Sequence, residues 1–201
     1  MNVIDKSFWE KKHKDNDRFW LTGTNLESIK HFHNLNTEDL KNKKILEIGV
    51  GLGNLSKELV NYSENIICCD ISEESLKNVD QKVNKKYLTT ELKKIEPVDI
   101  AICHLVFQHC TNDEIERIIK EVNLTEGGVF TFQFAYLREN EKPNSKVRDF
   151  INLGSHHFRD ISQIRDIVNK SNKKIVWISK SYDFSNPENF SWLIVKIKNN
   201  E

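Results

Sequence analysis

Three glycines at alternate positions, Gly49, Gly51 and Gly53, close an apolar run that contains Glu47. Glycine carries no Cβ, so a turn built this way can take positive φ angles and let the backbone come close to a bound molecule. Leu55, Leu59 and Tyr62 follow at helical spacing. The free N–H groups at the start of such a helix favour a polar or anionic ligand group. Asp70 ends a second apolar run, 21 positions after Gly49. At that distance a carboxylate can accept hydrogen bonds from both hydroxyls of a ribose, with Ile71 beside the attached base. Asp70 also precedes Ser72-Glu73-Glu74 and could cap a helix there; the two roles are compatible. His104, His109, His156 and His157 offer imidazoles suited to general-base work near neutral pH. His109 is the expected base and His157 the second choice. His13, His31 and His33 are read as surface residues, with His13 able to join a cap.

The glycine spacing excludes two common phosphate sites. The dinucleotide fingerprint wants Gly or Ala where Asn54 stands, and no Lys-Ser or Lys-Thr follows to complete a P-loop. What remains, E-x-G-x-G-x-G after an apolar strand, resembles motif I of the class I S-adenosylmethionine (SAM)-dependent methyltransferases. Pro97 to His104, entered through Asp99 and followed by a segment ending in Gln108-His109, resembles the family's motif IV and its sequel. Gly127-Gly128 leading into an alternating strand is a further likeness. The resemblance covers roughly residues 44–198 and implies SAM as cofactor, with S-adenosylhomocysteine (SAH) as its product. It implies Glu47, Gly49, Gly51 and Gly53 as the methionine-side cradle, Asp70 as the ribose ligand and His104 beside the sulfonium end. The family often places Asp or Asn just past the third strand to bond the adenine amino group. Thr90 and Glu91 stand there instead, and Thr90 is the candidate.

These residues need a scaffold that brings strand ends together. Lys44–Ile48, Asn65–Asp70, Tyr87–Thr90, Pro97–His104 and Gly127–Phe134 read as strands separated by helical stretches. Lys174–Ser179 and Phe190–Lys198 are joined by a linker too short for a crossover helix, so they are expected to be antiparallel neighbours. The expected fold is α/β: a Rossmann-like three-layer sandwich around a mostly parallel seven-stranded sheet with an antiparallel C-terminal hairpin. Thr24-Asn25-Leu26-Glu27 and Thr111-Asn112-Asp113-Glu114 are capping-box patterns, and Asp160 starts another helix. Leu76, Val79 and Val83 predict an amphipathic helix after Asp70. Residues 1–43 form a helical N-terminal segment and residues 44–201 the SAM-binding domain. Phe8, Trp9, Phe19 and Trp20 are expected to pack the first segment onto the core, the alternative being a cap with Trp9, His13 or Trp20 facing the ligand. Residues 135–159 lack periodicity and could overhang the crevice.

Composition narrows the function. The 201 residues suit one globular unit, and Lys plus Arg equals Asp plus Glu at 30 each. Zero net charge argues against a nucleic-acid binder with a broad basic surface. No Asn-Pro-Pro-Tyr or Asp-Pro-Pro-Tyr motif for adenine methylation is present. No apolar run has the length of a membrane span and the first 20 residues are charged throughout, so a cytoplasmic protein without membrane partners is expected. Cys68, Cys69, Cys103 and Cys110 lack Cys-x-x-Cys spacing and read as structural; no metal site is expected. The expected activity is methyl transfer from SAM to an oxygen or nitrogen of a small molecule, such as a sugar. The alternatives are a SAM-binding protein without catalysis and, less favoured because of Asn54, a nicotinamide-dependent oxidoreductase.

Overall fold

The computed structural model describes residues 5–17, 25–83, 85–136, 156–179, 182–183 and 191–200. Its centre is β1 (Ile45–Ile48), all four residues of which are buried. It pairs in parallel with β2 (Ile66–Asp70) on one side and β4 (Val98–Cys103) on the other. β3 (Lys85–Leu88) adds to β2 and β5 (Leu124–Tyr136) to β4, both in parallel. β8 (Ser191–Asn199) runs antiparallel to β5, and β6 (Lys173–Ile178) antiparallel to β8. The order is β3-β2-β1-β4-β5-β8-β6, with the two-residue β7 (Tyr182–Asp183) also paired to β8. This is the expected seven-stranded, mostly parallel sheet with an antiparallel C-terminal pair. The linker expected at 181–189 falls mostly outside the described residues.

Burial on both faces explains why the central strands read as near-continuous apolar runs, interrupted by Glu47 in β1 and Asp99 in β4. Alternate side chains leave a strand on opposite faces. Leu46 and Ile48 join one apolar layer with Ile115, Ile118 and Ile119 of α6 (Asn112–Glu121) and Ile164 and Val168 of α7 (Ile161–Lys170). Ile45 joins the other with Leu26 and Ile29 of α2 (Leu26–His33), Leu40 of α3 (Thr37–Leu40), and Leu55 and Leu59 of α4 (Asn54–Leu59). Phe130, Phe132 and Phe134 share the first layer, as their alternate spacing predicts, and Phe107 packs its ring 5.0 Å from that of Phe132.

Helix starts follow the caps in the sequence. The side chains of Asn25, Thr111 and Asp160 each accept a backbone N–H from three residues on. One helix departs from its periodicity. α5 (Glu73–Lys77) ends before Val79 and Val83, although both are buried. There the chain turns at Asn78, whose carbonyl lies where a Cβ on Gly53 would stand, at 2.4 Å. Close packing of the glycine turn on this stretch, rather than helix propensity, sets where α5 stops.

From β1 the chain builds outward to β2 and β3, then returns to place β4 and β5 on the other side. The carboxyl ends of β1 and β4 therefore flank a topological switch point, where open α/β sheets form a crevice. Among the described residues no helix is long and apolar enough to cross a membrane.

Candidate active site

A crevice of about 150 Å³ opens at that switch point. One wall is the turn after β1, with Ile48, Gly49, Val50 and Gly51; Asp70 and Ile71 stand at the tip of β2. The facing wall is the segment that leaves β4, from His104 through Val106, together with His109 and Cys110. Thr89, Arg117 and Ile118 close one end, and Trp9 and His13 reach over from α1 (Lys6–Lys14).

The glycines do different jobs. Gly49 has φ +81°, and a Cβ there would lie 2.1 Å from Val106 Cγ2, so only glycine lets the two walls approach. Gly51 has φ +56° with nothing near its missing Cβ, which leaves its backbone open to the crevice. Gly53 is the N-cap of α4 at φ +72°; it packs on Asn78 and does not line the crevice. The N–H of Gly51 donates to Asp70 Oδ2 at 3.3 Å, and that of Ser72 to Asp70 Oδ1 at 2.9 Å. Asp70 thus ties the turn to the β2 tip while bordering the crevice. The helix cap of α5 is Ser72, whose side chain accepts from the N–H of Ser75 at 3.1 Å. Burial raises the pKa of Asp70, and its hydrogen bonds to Ser72, Ser75 and Gly51 oppose that.

Glu47 sits beneath the turn, 3 % exposed, and accepts from the Cys68 thiol at 3.7 Å. Burial pushes its carboxyl up to about 8, so it is protonated near neutrality. It is absent from the crevice lining, as is Thr90; the neighbouring Thr89 lies there instead. All four cysteines are free. Cys110 borders the crevice, but burial pushes its thiol up to about 12, away from nucleophilic use.

The histidines separate. His104 and His109 share the crevice. His109 lies between the rings of Trp9 at 5.1 Å and His156 at 4.9 Å, with Gln108 Nε2 3.3 Å from its Nε2. His157 lines a neighbouring groove with Asn112, Phe158 and Arg159, and its backbone N–H donates to the Gln108 carbonyl at 2.6 Å. Buried Arg159 staples this region, donating to Asn112 Oδ1 and to the carbonyls of Phe107, Cys110 and His157.

Two expectations are corrected. No residue of α1 is buried, and Trp9 and His13 border the crevice, so for Trp9 the alternative of a cap replaces core packing, and His13 joins it. Polar contacts tie the helix down beside the Trp9–His109 ring contact. Glu10 accepts the N–H of Glu73 at 2.6 Å and of Glu74 at 3.3 Å, and Lys6 pairs with Glu73 at 2.8 Å. Phe19, Trp20 and most of 135–159 lie outside the described residues. His33 is not a surface residue: it is 0 % exposed, and its Nε2 stands 2.9 Å from His104 Nδ1. Its spacing from Leu26 and Ile29 places all three on one helical face, a signal the sequence did contain. Leu105 had no such signal. Its φ of +57°, rare for a bulky residue, turns the chain out of β4 into the crevice wall.

A turn with glycine at alternate positions, beside an acid at the next strand tip and at a switch point, is the arrangement of a Rossmann-like nucleoside site. Asp70 borders the space, the Gly51 backbone is open to it, and Ile71 lines it beside Asp70. Residues 46–132 match the family model described as a methyltransferase domain. An uncharacterized methyltransferase of Geobacillus sp. (strain WCH70) is 25 % identical over 124 residues, which span 58 % of each chain. Ribosomal RNA small subunit methyltransferase A of Mycoplasmopsis synoviae (strain 53) is 24 % identical over 146 residues, 68 % of this chain and 56 % of that one. The chain thus spans little more than half the length of these two relatives. The magnesium protoporphyrin IX methyltransferase ChlM of Synechocystis PCC 6803, solved with bound SAH, shares the fold with a TM-score of 0.62 at 17 % identity, covering 97 % of each chain. The match to the methyltransferase-domain model covers less than half of the chain, and the likeness to the solved structure is one of fold.

Proposed function

We propose that the protein transfers the methyl group of SAM to an oxygen or nitrogen of a small-molecule acceptor, a sugar or similar metabolite, releasing SAH. The observation that carries this reading is the composition of one crevice: the glycine turn and Asp70 form one wall, His104 and His109 the other. SAM supplies a methyl group on a cationic sulfur. The Asp70 carboxylate holds the ribose, Ile71 packs on the base, and Thr89 or Thr90 borders the adenine edge. The backbones of Gly49 and Gly51 pass along the methionine side; Gly53 and Glu47 support that turn from below. Trp9 and His13 narrow the mouth and limit water around the reactants, which raises the strength of each polar contact inside. A hydroxyl or protonated amine must lose a proton as it attacks, and an imidazole on the facing wall accepts it. His157 stands in the adjoining groove, where it touches the acceptor only if the acceptor extends past Gln108.

The zero net charge and narrow crevice favour a small acceptor over RNA. The distant likeness to a ribosomal RNA methyltransferase makes RNA the second reading. Labelled SAM, incubated with the protein and either a small-metabolite extract or total RNA, separates the two. Label in the small-molecule fraction supports the proposal, and label confined to RNA overturns it. Binding of SAM without transfer to either leaves a non-catalytic binding protein.

A further inference from the structure

Behind the facing wall lies a polar line that methyl transfer alone does not call for. Thr131 comes from β5, His33 from the last turn of α2 and His104 from the exit of β4. His33 Nδ1 is 2.7 Å from Thr131 Oγ1, and His33 Nε2 is 2.9 Å from His104 Nδ1. Thr131 and His33 are fully buried, and His104 is 7 % exposed. Phe32 stacks over His104, ring centroids 6.3 Å apart and planes 15° apart. A polar run among apolar side chains is costly unless its hydrogen bonds are made. An apolar residue at position 33 would simply continue the face of Leu26 and Ile29. His33 occupies both of its ring nitrogens within the line, and Nε2 is the His104 nitrogen left for the crevice.

Two proton orders satisfy these contacts. In the first, His33 Nδ1–H donates to Thr131 Oγ1 and His104 Nδ1–H donates to His33 Nε2, leaving a lone pair on His104 Nε2. In the second every donor is reversed and His104 Nε2 carries a hydrogen. The tautomer of a histidine is set by the bond its other nitrogen makes. We propose that His33 and Thr131 are positioning residues that hold His104 in the first order, so that its Nε2 takes the proton of the methyl acceptor. This rests on the reading of the crevice as a methyltransferase site. In the step, the acceptor O–H or N–H bond breaks and its electron pair stays on the oxygen or nitrogen. The proton joins the Nε2 lone pair, and the imidazolium keeps its Nδ1–H bond to His33. Lys196, from β8, adds its positive charge near His33 and so disfavours a cation there, which keeps the new charge on His104. Asp70 of β2, His13 of α1, and Glu114 and Arg117 of α6 are the other ionisable groups lining the crevice besides His109 and Cys110. Burial pushes His104 down to about 4, so the ring is neutral throughout the neutral range, with weakened basicity.

Nitrogen-15 NMR of the histidine rings in the ligand-free full chain tests this without any turnover. The expected wild-type spectrum shows His104 protonated on Nδ1 and bare on Nε2. His33→Leu, which removes the acceptor, is expected to move His104 to the Nε2–H form. Thr131→Val, nearly isosteric, is expected to populate both forms, and Thr131→Ser to restore the wild-type pattern. With an acceptor in hand, kcat should fall roughly tenfold to a hundredfold in His33→Leu with the SAM dissociation constant unchanged. An Nε2–H signal in the wild type, or a tautomer unmoved by both Thr131→Val and His33→Leu, overturns the inference. Should His33→Leu not fold, Thr131→Val against Thr131→Ser decides alone. Calorimetry with SAM on the wild type separates the two failures: no binding removes the methyltransferase reading, whereas binding with the wrong tautomer removes only this one.

Discussion

Replacing Glu47 by Gln swaps a carboxyl for an amide of nearly equal volume that needs no proton to stay neutral. Glu47 is buried beneath the glycine turn, where burial holds its carboxyl at about 8 against an ordinary value of 4.5. Between those two values the folded chain carries a proton on this group that the unfolded chain has lost. A raised folded pKa means that the stability contributed is complete below about pH 4.5 and is lost as pH rises through about 8. At pH 7 the gap from 4.5 is 2.5 units, a cost of about 3 kcal/mol at 1.36 kcal/mol per unit. Gln avoids it and can still accept from the Cys68 thiol. Glu47→Gln should therefore stabilise the fold by up to about 3 kcal/mol at pH 7, roughly 6–12 °C in Tm for a chain of this size. The gain should shrink to near zero at pH 4.5 and grow further by pH 8. Urea unfolding at pH 4.5, 7 and 8.5 reads it directly. A variant no more stable than wild type at pH 8.5, or equally stabilised at every pH, would refute the reasoning that a neutral buried carboxyl sits under the turn.

Three further outcomes rest on the same geometry. Gly51→Ala should cost only the left-handed strain of roughly 1–2 kcal/mol, because nothing lies near its Cβ. Gly49→Ala should cost more and abolish SAM binding, because its Cβ meets Val106; paired unfolding and binding curves check the contrast. Glu10→Ala should release α1, seen as faster hydrogen exchange at the Glu73 and Glu74 amides and weaker SAM binding, while the Tm changes little because α1 buries no residue. On the acid side, burial holds His104 and His156 down at about 4 against the usual 6.5. The unfolded chain therefore takes up protons first, and stability should fall as pH drops from about 6.5 to about 4, measurable as a declining Tm.

What the sequence revealed was whatever local physics decides. β1, β2 and β4 are buried on both faces and read as near-continuous apolar runs, and the caps at Asn25, Thr111 and Asp160 are chemical signals confined to four residues. The glycine turn and Asp70 were legible because spacing along one βαβ unit fixes their meeting. β5 was harder: Gly127-Gly128 reads as a turn before the strand, yet the strand begins at Leu124 and passes through a register shift opposite Val98 and Ile100, with Gly127 at φ +75°. Residues placed by distant contacts were less legible, Trp9 and His13 at the crevice being only the alternative reading. Trp9 and His13 reach the crevice because Glu10 binds amides 63 and 64 positions away. His33 meets His104 across 71 positions, and Thr89 rather than Thr90 faces inward because a 3₁₀ turn, Thr89–Lys94, follows β3 at once.

The central claim is that an adenosine-bearing sulfonium compound lies across the tips of β1 and β2 with its sugar on Asp70. Isothermal titration of SAM and SAH into the wild type and Asp70→Ala tests it most directly. The account predicts saturable one-to-one binding of both compounds to the wild type. It predicts affinity about tenfold to a hundredfold weaker in Asp70→Ala, the loss of charge-assisted hydrogen bonds worth roughly 1.5–3 kcal/mol. No heat of binding to the wild type, or equal affinity in a folded Asp70→Ala, would contradict it.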